Sequence, residues 1–229
     1  IPDSEKKIWR PSNPKGYANW FDGRTRVKVA AFYERKDIEP LNPPTPAYLK
    51  PPLKLAVQLL KRWRDVAFED RMELAPSSII LTTLAGLLYR GEDHPTDALA
   101  NILDGIHSWA NTRPIRLQNP SNTKEWITDR WNDKPAMYDA FIAEVFDLRV
   151  RWHKLIQKGR FPDFIAELKA LFTEVPVTRA MTKFAESRGE ARRNGSLFVE
   201  KATGSLGVAS SPGVVQGTFK VKDHVFHGE

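Results

Sequence analysis

The sequence contains no cysteine, and this absence and others exclude several classes of protein. Without cysteine, neither a disulfide framework nor a thiolate metal site can form. The five histidines are scattered, with no HxxxH or HxH pair, which argues against a zinc site. No apolar run reaches 18 residues without a charge, and the first residues do not resemble a signal peptide. We therefore expect a soluble, cytoplasmic protein that does not enter a membrane.

Catalytic carboxylate motifs are also missing. No GS pair opens a helix, and no Asp-x-Asp lies on an alternating strand. Two-metal phosphoryl-transfer chemistry needs clustered carboxylates that hold two metal ions roughly 3.5–4 Å apart. The sequence therefore predicts no catalytic residue and no metal ligand within this chain.

The composition is that of a moderately basic globular protein. The chain has 229 residues, of which 41% are hydrophobic, and its formal net charge is +7. This length suffices for one domain, or for one domain with a tail. A basic surface suits nucleotides or nucleic acid, but an ordinary solvated surface explains the charge equally well.

The stretch from Leu53 to Tyr89 contains the strongest helical pattern. At 100° per residue its first part has one broad apolar arc, formed by Leu53, Ala56, Val57, Leu59, Leu60, Trp63 and Ala67. A narrow polar strip remains, which carries Lys54, Gln58, Lys61, Arg62 and Asp65. Such a helix is buried on most sides. The strip faces water or a ligand.

A second central helix is predicted over 79–89, and Pro76, Ser77 and Ser78 precede it. Free N–H groups, hydroxyls and ammonium groups together suit a polyphosphate. The alternative is that Ser77 or Ser78 is a simple N-cap and Lys61 a solvated lysine.

Helix signals recur on both sides of this stretch. Asn13 is a predicted N-cap with Pro14 at the first helical position. Six prolines between residues 39 and 52 predict an extended connector. Further helices are predicted near 25–35, over 161–172 and over 177–193. Two more are predicted from N-caps, one from Thr96 to Trp109 and one over 136–158 after Asp133. A capping box at 122–125 predicts another helix start. Residues 196–229 are rich in glycine and serine and predict a flexible tail.

Five segments together resemble the cGAS/DncV-like nucleotidyltransferases (CD-NTases), bacterial relatives of oligoadenylate synthase. They are LKLAVQLLKRWRD with PSSIILTTLAG, WRPSNPKGYANWF, NPSNTKEWITDRW and the ending HVFHGE, whose order and spacing match along essentially the whole chain. The resemblance implies a mainly α fold. The chain would be the helical bundle that forms the C-terminal, oligoadenylate-synthase-like part of a polymerase-β-type nucleotidyltransferase. We expect a connector over 1–52, a helical domain over 53–195 and a flexible tail over 196–229, with the catalytic core in a longer enzyme.

The resemblance also implies roles for particular residues. Lys61 matches a lysine that contacts the donor triphosphate, and Ser77 matches a position that contacts the donor phosphates. Ser78 matches a position where several relatives stack a tyrosine on the base. Because a serine cannot stack, base recognition at Ser78 would need a hydrogen bond. Arg64 points toward the apolar side and is expected to be structural, with a buried partner.

The enzyme implied is a synthase of cyclic di- or trinucleotides that serve as second messengers in antiphage defence. Its substrates are ribonucleoside triphosphates, and its Mg²⁺ is held by aspartates outside this chain. In family members encoded with ubiquitin-like E1/E2 enzymes, the C-terminus is conjugated, which marks Gly228 and Glu229 as a possible attachment site. A helical nucleic-acid-binding module and a protein-interaction domain remain alternatives.

Overall fold

We describe the fold from a computed structural model of the chain. It describes residues 2–3, 8–9, 13–25, 50–112, 114–157, 161–200, 206–208 and 218–220. The chain divides into two compact units, Ile1–Phe172 and Thr173–Glu229. This division falls inside the range 53–195, which the sequence predicts as a single helical domain.

The first unit is mainly helical, so the predicted mainly α fold is confirmed. Its helices are α1 (Pro14–Thr25), α2 (Pro52–Ala67), α3 (Ser78–Leu88), α4 (Pro95–Thr112), α5 (Asp129–Asp133), α6 (Pro135–Ile156) and α7 (Phe161–Phe172). A 3-10 helix over Glu69–Leu74 joins α2 to α3. Two short antiparallel pairs complete the unit, β1 (Pro2–Asp3) with β2 (Ile8–Trp9) and β3 (Gln118–Asn119) with β4 (Asn122–Trp126).

Helix α2 lies at the centre of the first unit and contacts α3, α4 and α7. Most of the predicted apolar arc is its buried face, since Leu53, Ala56, Val57, Leu60 and Trp63 are buried. The other two members of the arc, Leu59 and Ala67, are half-buried. Helix α3 is buried along its whole middle, from Ile80 to Gly86. The longest of the described helices, α6, packs on α4 and carries fully buried side chains such as Phe141 and Leu148. The polar strip of α2 is left at the edge of this core.

Helix α1 packs along α3, and Gly86 permits the close approach. A Cβ at position 86 would lie 2.6 Å from the Trp20 ring. The Asn13 side chain accepts a hydrogen bond from the Gly16 N–H at 2.9 Å, so the predicted N-cap is confirmed. Arg24 donates to the carbonyls of Gly86 (2.6 Å) and Tyr89 (3.1 Å), which satisfies carbonyls left open where α3 ends.

The capping box predicted at 122–125 is wrong, because these residues form strand β4 of a hairpin. The turn is closed by Asn119, whose Oδ1 accepts from the Ser121 N–H and whose Nδ2 donates to Glu125. Glu125 is therefore engaged across the hairpin and does not reach back along a helix. A side chain that closes an Asx-type turn competes with helix formation.

Two predicted N-caps are displaced by prolines. Helix α4 begins at Pro95, so Thr96 lies inside its first turn. Helix α6 begins at Pro135 with Lys134 in the cap position, and Asp133 ends the preceding helix α5. In both cases proline occupies the first helical position, where its missing N–H costs nothing. The prediction for α7 matches its observed bounds.

The second unit holds helix α8 (Glu174–Arg193) and three antiparallel strands. Strand β5 (Leu197–Glu200) pairs with β6 (Leu206–Val208) on one side and with β7 (Thr218–Lys220) on the other. The sequence predicts no strands within 196–229. The predictions for residues 26–49 and for the ending 221–229 lie outside the described residues.

Asp104 on α4 joins two basic side chains of α6. Its Oδ1 accepts from Arg149 Nε at 2.6 Å and lies 2.9 Å from His153 Nε2. Burial acts to raise the pKa of Asp104, but the bonds from His153 and Arg149 outweigh it and hold that pKa below its usual value.

We expect Asp104→Asn to lower the free energy of unfolding at pH 7 by about 0.5–1 kcal/mol, since this pair is partly exposed. A carboxyl group whose pKa is lower in the folded state stabilises the fold at pH values above its unfolded-state pKa of 3.8. That stabilisation is lost as the pH falls through the lower folded-state pKa. The stability gap between wild type and variant should therefore narrow below pH 3.8. Urea unfolding at neutral and acidic pH measures this difference in the free energy of unfolding. Asp139→Asn, an exposed change on α6, the helix that carries Arg149 and His153, is the control. Equal stability of D104N and wild type at pH 7 would contradict the assignment.

Candidate functional site

Lys61 lies on the polar strip of α2 and is half-buried. Within the described part of the chain its ammonium group makes no hydrogen bond or ion pair. Burial lowers the pKa of Lys61, and the positive charge of Arg64 lowers it further. Lys54, two turns earlier on the same helix, is instead paired with Asp22 at 2.8 Å. Lys61 is thus a partly desolvated cation beside a second cation.

Arg64 lies one turn after Lys61 and connects α2 to the start of α3. Its Nη1 donates to Ser78 Oγ at 2.8 Å and to the Pro76 carbonyl at 3.4 Å. Its Nε and Nη2 donate to Asp65 Oδ1 at 2.9 and 2.5 Å. The prediction that Arg64 has a structural role with an internal partner agrees with these bonds.

Ser77 occupies the N-cap position of α3 with an extended backbone. Its carbonyl accepts from the N–H of Ile80 at 3.1 Å, but its side chain makes no capping hydrogen bond. The Ser77 side chain is exposed, and its hydroxyl has no partner among the residues described. The first N–H groups of a helix have no intrahelical acceptor and carry the positive end of its dipole. This helix end therefore presents donors only partly used by the protein itself.

Arg64 connects α2 with the start of α3 at the predicted nucleotide-binding residues. It lies one turn after Lys61 and bonds directly to Ser78, which follows Ser77 in the chain. An ammonium group and a helix N-terminus with two hydroxyls, if they face the same region, would form a donor-rich surface. Such a surface can bind an anion that carries several acceptor oxygens, such as a polyphosphate.

Tyr17 of α1 belongs to the helix packing. The Tyr17 hydroxyl lies 2.9 Å from Thr83 Oγ1 on α3 and donates to the Ile79 carbonyl at 3.4 Å. Burial raises the pKa of Tyr17, and the Thr83 bond only partly offsets this. Tyr17 is therefore part of the packing between α1 and α3, whereas Asn19 is exposed.

Sequence reasoning missed the contact between Arg64 and Ser78. A helical projection places Arg64 next to the apolar arc but does not show which loop passes over it. The proline at position 76, which fixes the chain just before Ser77, was the available signal. Gly228 and Glu229 lie outside the described residues, so the predicted attachment site stays a prediction.

The described ranges hold no group of three or more His, Cys, Asp or Glu side chains that could bind a metal ion. Likewise, no helix in them is long and apolar enough to cross a membrane. Lys61, Ser77 and Ser78 offer no carboxylate to Mg²⁺, and the neighbouring Asp65 carboxylate is already bound by Arg64.

Comparison with known proteins finds relatives along the whole chain. It is 34% identical over 234 residues to a c-di-GMP synthase of Roseivirga ehrenbergii, a match that covers 100% of this chain and 60% of that protein. It is 25% identical over 244 residues to the cyclic dinucleotide synthase CdnG of Bradyrhizobium diazoefficiens, covering 91% of this chain and 57% of that protein. No protein-family model matches the chain.

A solved structure shares the fold. The structure of the Bradyrhizobium diazoefficiens CD-NTase CdnG in complex with GTP superimposes with a TM-score of 0.59 at 20% identity. The match covers 78% of this chain and 57% of that chain. The present chain thus spans about 60% of the length of the curated relatives it matches.

Proposed function

Because the chain belongs to the CD-NTase family, we propose that it is the helical part of a cyclic-dinucleotide synthase. In this proposal Lys61, Ser77 and Ser78 bind the triphosphate-bearing donor nucleotide and close one side of the active-site cleft. The alternatives, a nucleic-acid-binding module or a protein-interaction domain without catalytic activity, explain less, since both named relatives are cyclic dinucleotide synthases.

The observation that carries this proposal is the half-buried ammonium of Lys61, which has no partner among the described residues and lies one turn before Arg64. Asp65 already pairs with Arg64, so the partly buried charge of Lys61 is left for an anionic ligand to balance. A triphosphate supplies several negative charges and many acceptor oxygens. The adjacent N-terminus of α3 adds N–H donors and a favourable dipole for the same group.

In the proposed reaction the 3′-hydroxyl of one nucleotide attacks the α-phosphorus of the donor, and pyrophosphate leaves. One phosphodiester bond forms and one phosphoanhydride bond breaks at each step, and the hydroxyl proton is released. The residues of this chain orient the donor and stabilise the charge on its leaving phosphates. Mg²⁺ would supply further charge neutralisation, held by carboxylates that do not belong to this chain.

The full-length protein tests the proposal when it is incubated with ribonucleoside triphosphates. We expect a product that survives alkaline phosphatase, because a cyclic dinucleotide has no terminal phosphate, together with stoichiometric pyrophosphate. Chromatography of the phosphatase-treated mixture detects it. Nucleotides that are entirely converted to nucleosides by the phosphatase would contradict the proposed synthase. Salt-dependent binding of duplex nucleic acid without turnover would favour the nucleic-acid-binding alternative.

A further inference from the structure

The bond between Arg64 and Ser78 fixes the direction of hydrogen bonding at the serine. A guanidinium group has N–H donors and no acceptor. In the 2.8 Å contact, therefore, Arg64 Nη1 must donate and Ser78 Oγ must accept. The hydroxyl proton of Ser78 cannot be used in this bond. It has no acceptor among the described residues.

Arg64 is itself held firmly in this orientation. Its side chain is 18% exposed, and three of its nitrogens donate to Asp65, Pro76 and Ser78. A guanidinium group anchored by a carboxylate and a backbone carbonyl does not turn away to meet a ligand without losing those bonds. The geometry at Ser78 is therefore set before any ligand arrives.

We propose that Arg64 is a positioning residue that makes the Ser78 hydroxyl a dedicated hydrogen-bond donor to an acceptor atom of the bound nucleotide. This inference rests on the proposed function, since it concerns the same site. It replaces the stacking expected of a tyrosine at this position with a directional contact. The acceptor is either a phosphate oxygen or an acceptor on the base or ribose.

Equilibrium binding of GTP to the full-length protein tests the inference through two variants and their combination. We expect Ser78→Ala to weaken GTP binding about 3- to 10-fold, the loss typical of one hydrogen bond. Ser78→Thr, which keeps the hydroxyl, is the matched control and should bind nearly as wild type does. Arg64→Lys should weaken binding in the wild-type background but add nothing in the Ser78→Ala background, because its effect passes through the serine. Additive losses from the two changes would overturn the positioning role.

Inorganic tripolyphosphate, used as a second probe, identifies the acceptor. If Ser78→Ala weakens both probes, the acceptor is a phosphate oxygen; if it weakens GTP alone, the acceptor is on the base or ribose. If Ser78→Ala changes neither probe while Lys61→Ala weakens both, the inference falls and the proposed function stands. If neither variant changes binding, both the positioning role of Arg64 and the proposed function are wrong. Circular dichroism of each variant verifies that the helical fold is kept.

Discussion

Replacing Lys61 by alanine in the full-length protein is expected to lower cyclic-dinucleotide formation by at least about tenfold. A charge-assisted hydrogen bond to a phosphate contributes roughly 1.5–3 kcal/mol, and about 1.4 kcal/mol corresponds to a factor of ten. The fold should be little affected, because Lys61 makes no hydrogen bond or ion pair with the described part of the protein. Initial rates of product formation at saturating and limiting GTP measure the loss.

Lys54→Ala is the control for this experiment. Lys54 belongs to the same helix and the same polar strip, but Asp22 already neutralises it at 2.8 Å. Removing Lys54 changes the net charge of the protein by the same amount and leaves Lys61, Ser77 and Ser78 in place. Equal losses in the two variants would attribute the effect to general electrostatics and remove Lys61 from the site. Near-normal activity of Lys61→Ala would also show that Lys61 does not belong to the site.

Replacing Phe141 by alanine is expected to lower the free energy of unfolding by about 3–5 kcal/mol. Phe141 is 0% exposed on α6 and stacks on Trp131 of α5 with ring centroids 5.3 Å apart. Its removal loses the buried apolar area and leaves a cavity that surrounding helices fill only in part. Urea unfolding followed by circular dichroism measures the change.

Phe184→Ala is the matched control, since Phe184 is 50% exposed on α8 and contacts the Arg188 guanidinium. Its loss should cost no more than about 1 kcal/mol. A Phe141→Ala variant that unfolds at the wild-type urea concentration would mean that α6 does not pack on α5 and α4 as described.

The helical part of the fold could be predicted from the sequence because its apolar periods are long and regular. Helix α2 shows this best, since the arc from Leu53 to Trp63 is the face it buries. Helix ends were predicted less well. Pro135 is the first residue of α6, as the sequence predicts, but the cap position is Lys134 and not Asp133. Helix α4 begins at Pro95, one residue before the predicted cap Thr96. The preferences of residue types for the N-cap position carry no information on where the preceding loop must turn.

Strands were missed where pairing depends on residues that are distant from the pattern. Residues 122–125 fit a capping box, and only the closure of the turn by Asn119 makes them a strand. Strand β5 has no helical period, and its pairing with β6 and β7 could not be read from glycine-rich flanks. Local composition predicts flexibility there because it contains no information about pairing.

The candidate site was partly accessible to sequence reasoning. Lys61, Ser77 and Ser78 were selected from helix faces, helix ends and the family resemblance, and their roles stay predictions. The lack of a partner for Lys61 among the described residues and the direction of the Ser78 hydrogen bond needed coordinates. Both depend on how Arg64 reaches from one helix to the next, and no periodicity specifies that path.

Helix α1 contacts α3 at both ends of α3. The Tyr17 hydroxyl bonds to Ile79 and Thr83 in the first turns of α3, and Arg24 donates to the carbonyl of Gly86 in its last turn. With Trp20 pressed against Gly86 between these points, the two helices cannot slide past each other without breaking all three contacts. A displacement of α1 is therefore expected to move the serine-bearing end of α3 with it. If Ser77 and Ser78 bind the donor as proposed, a ligand or partner that displaces α1 would change the affinity for the nucleotide.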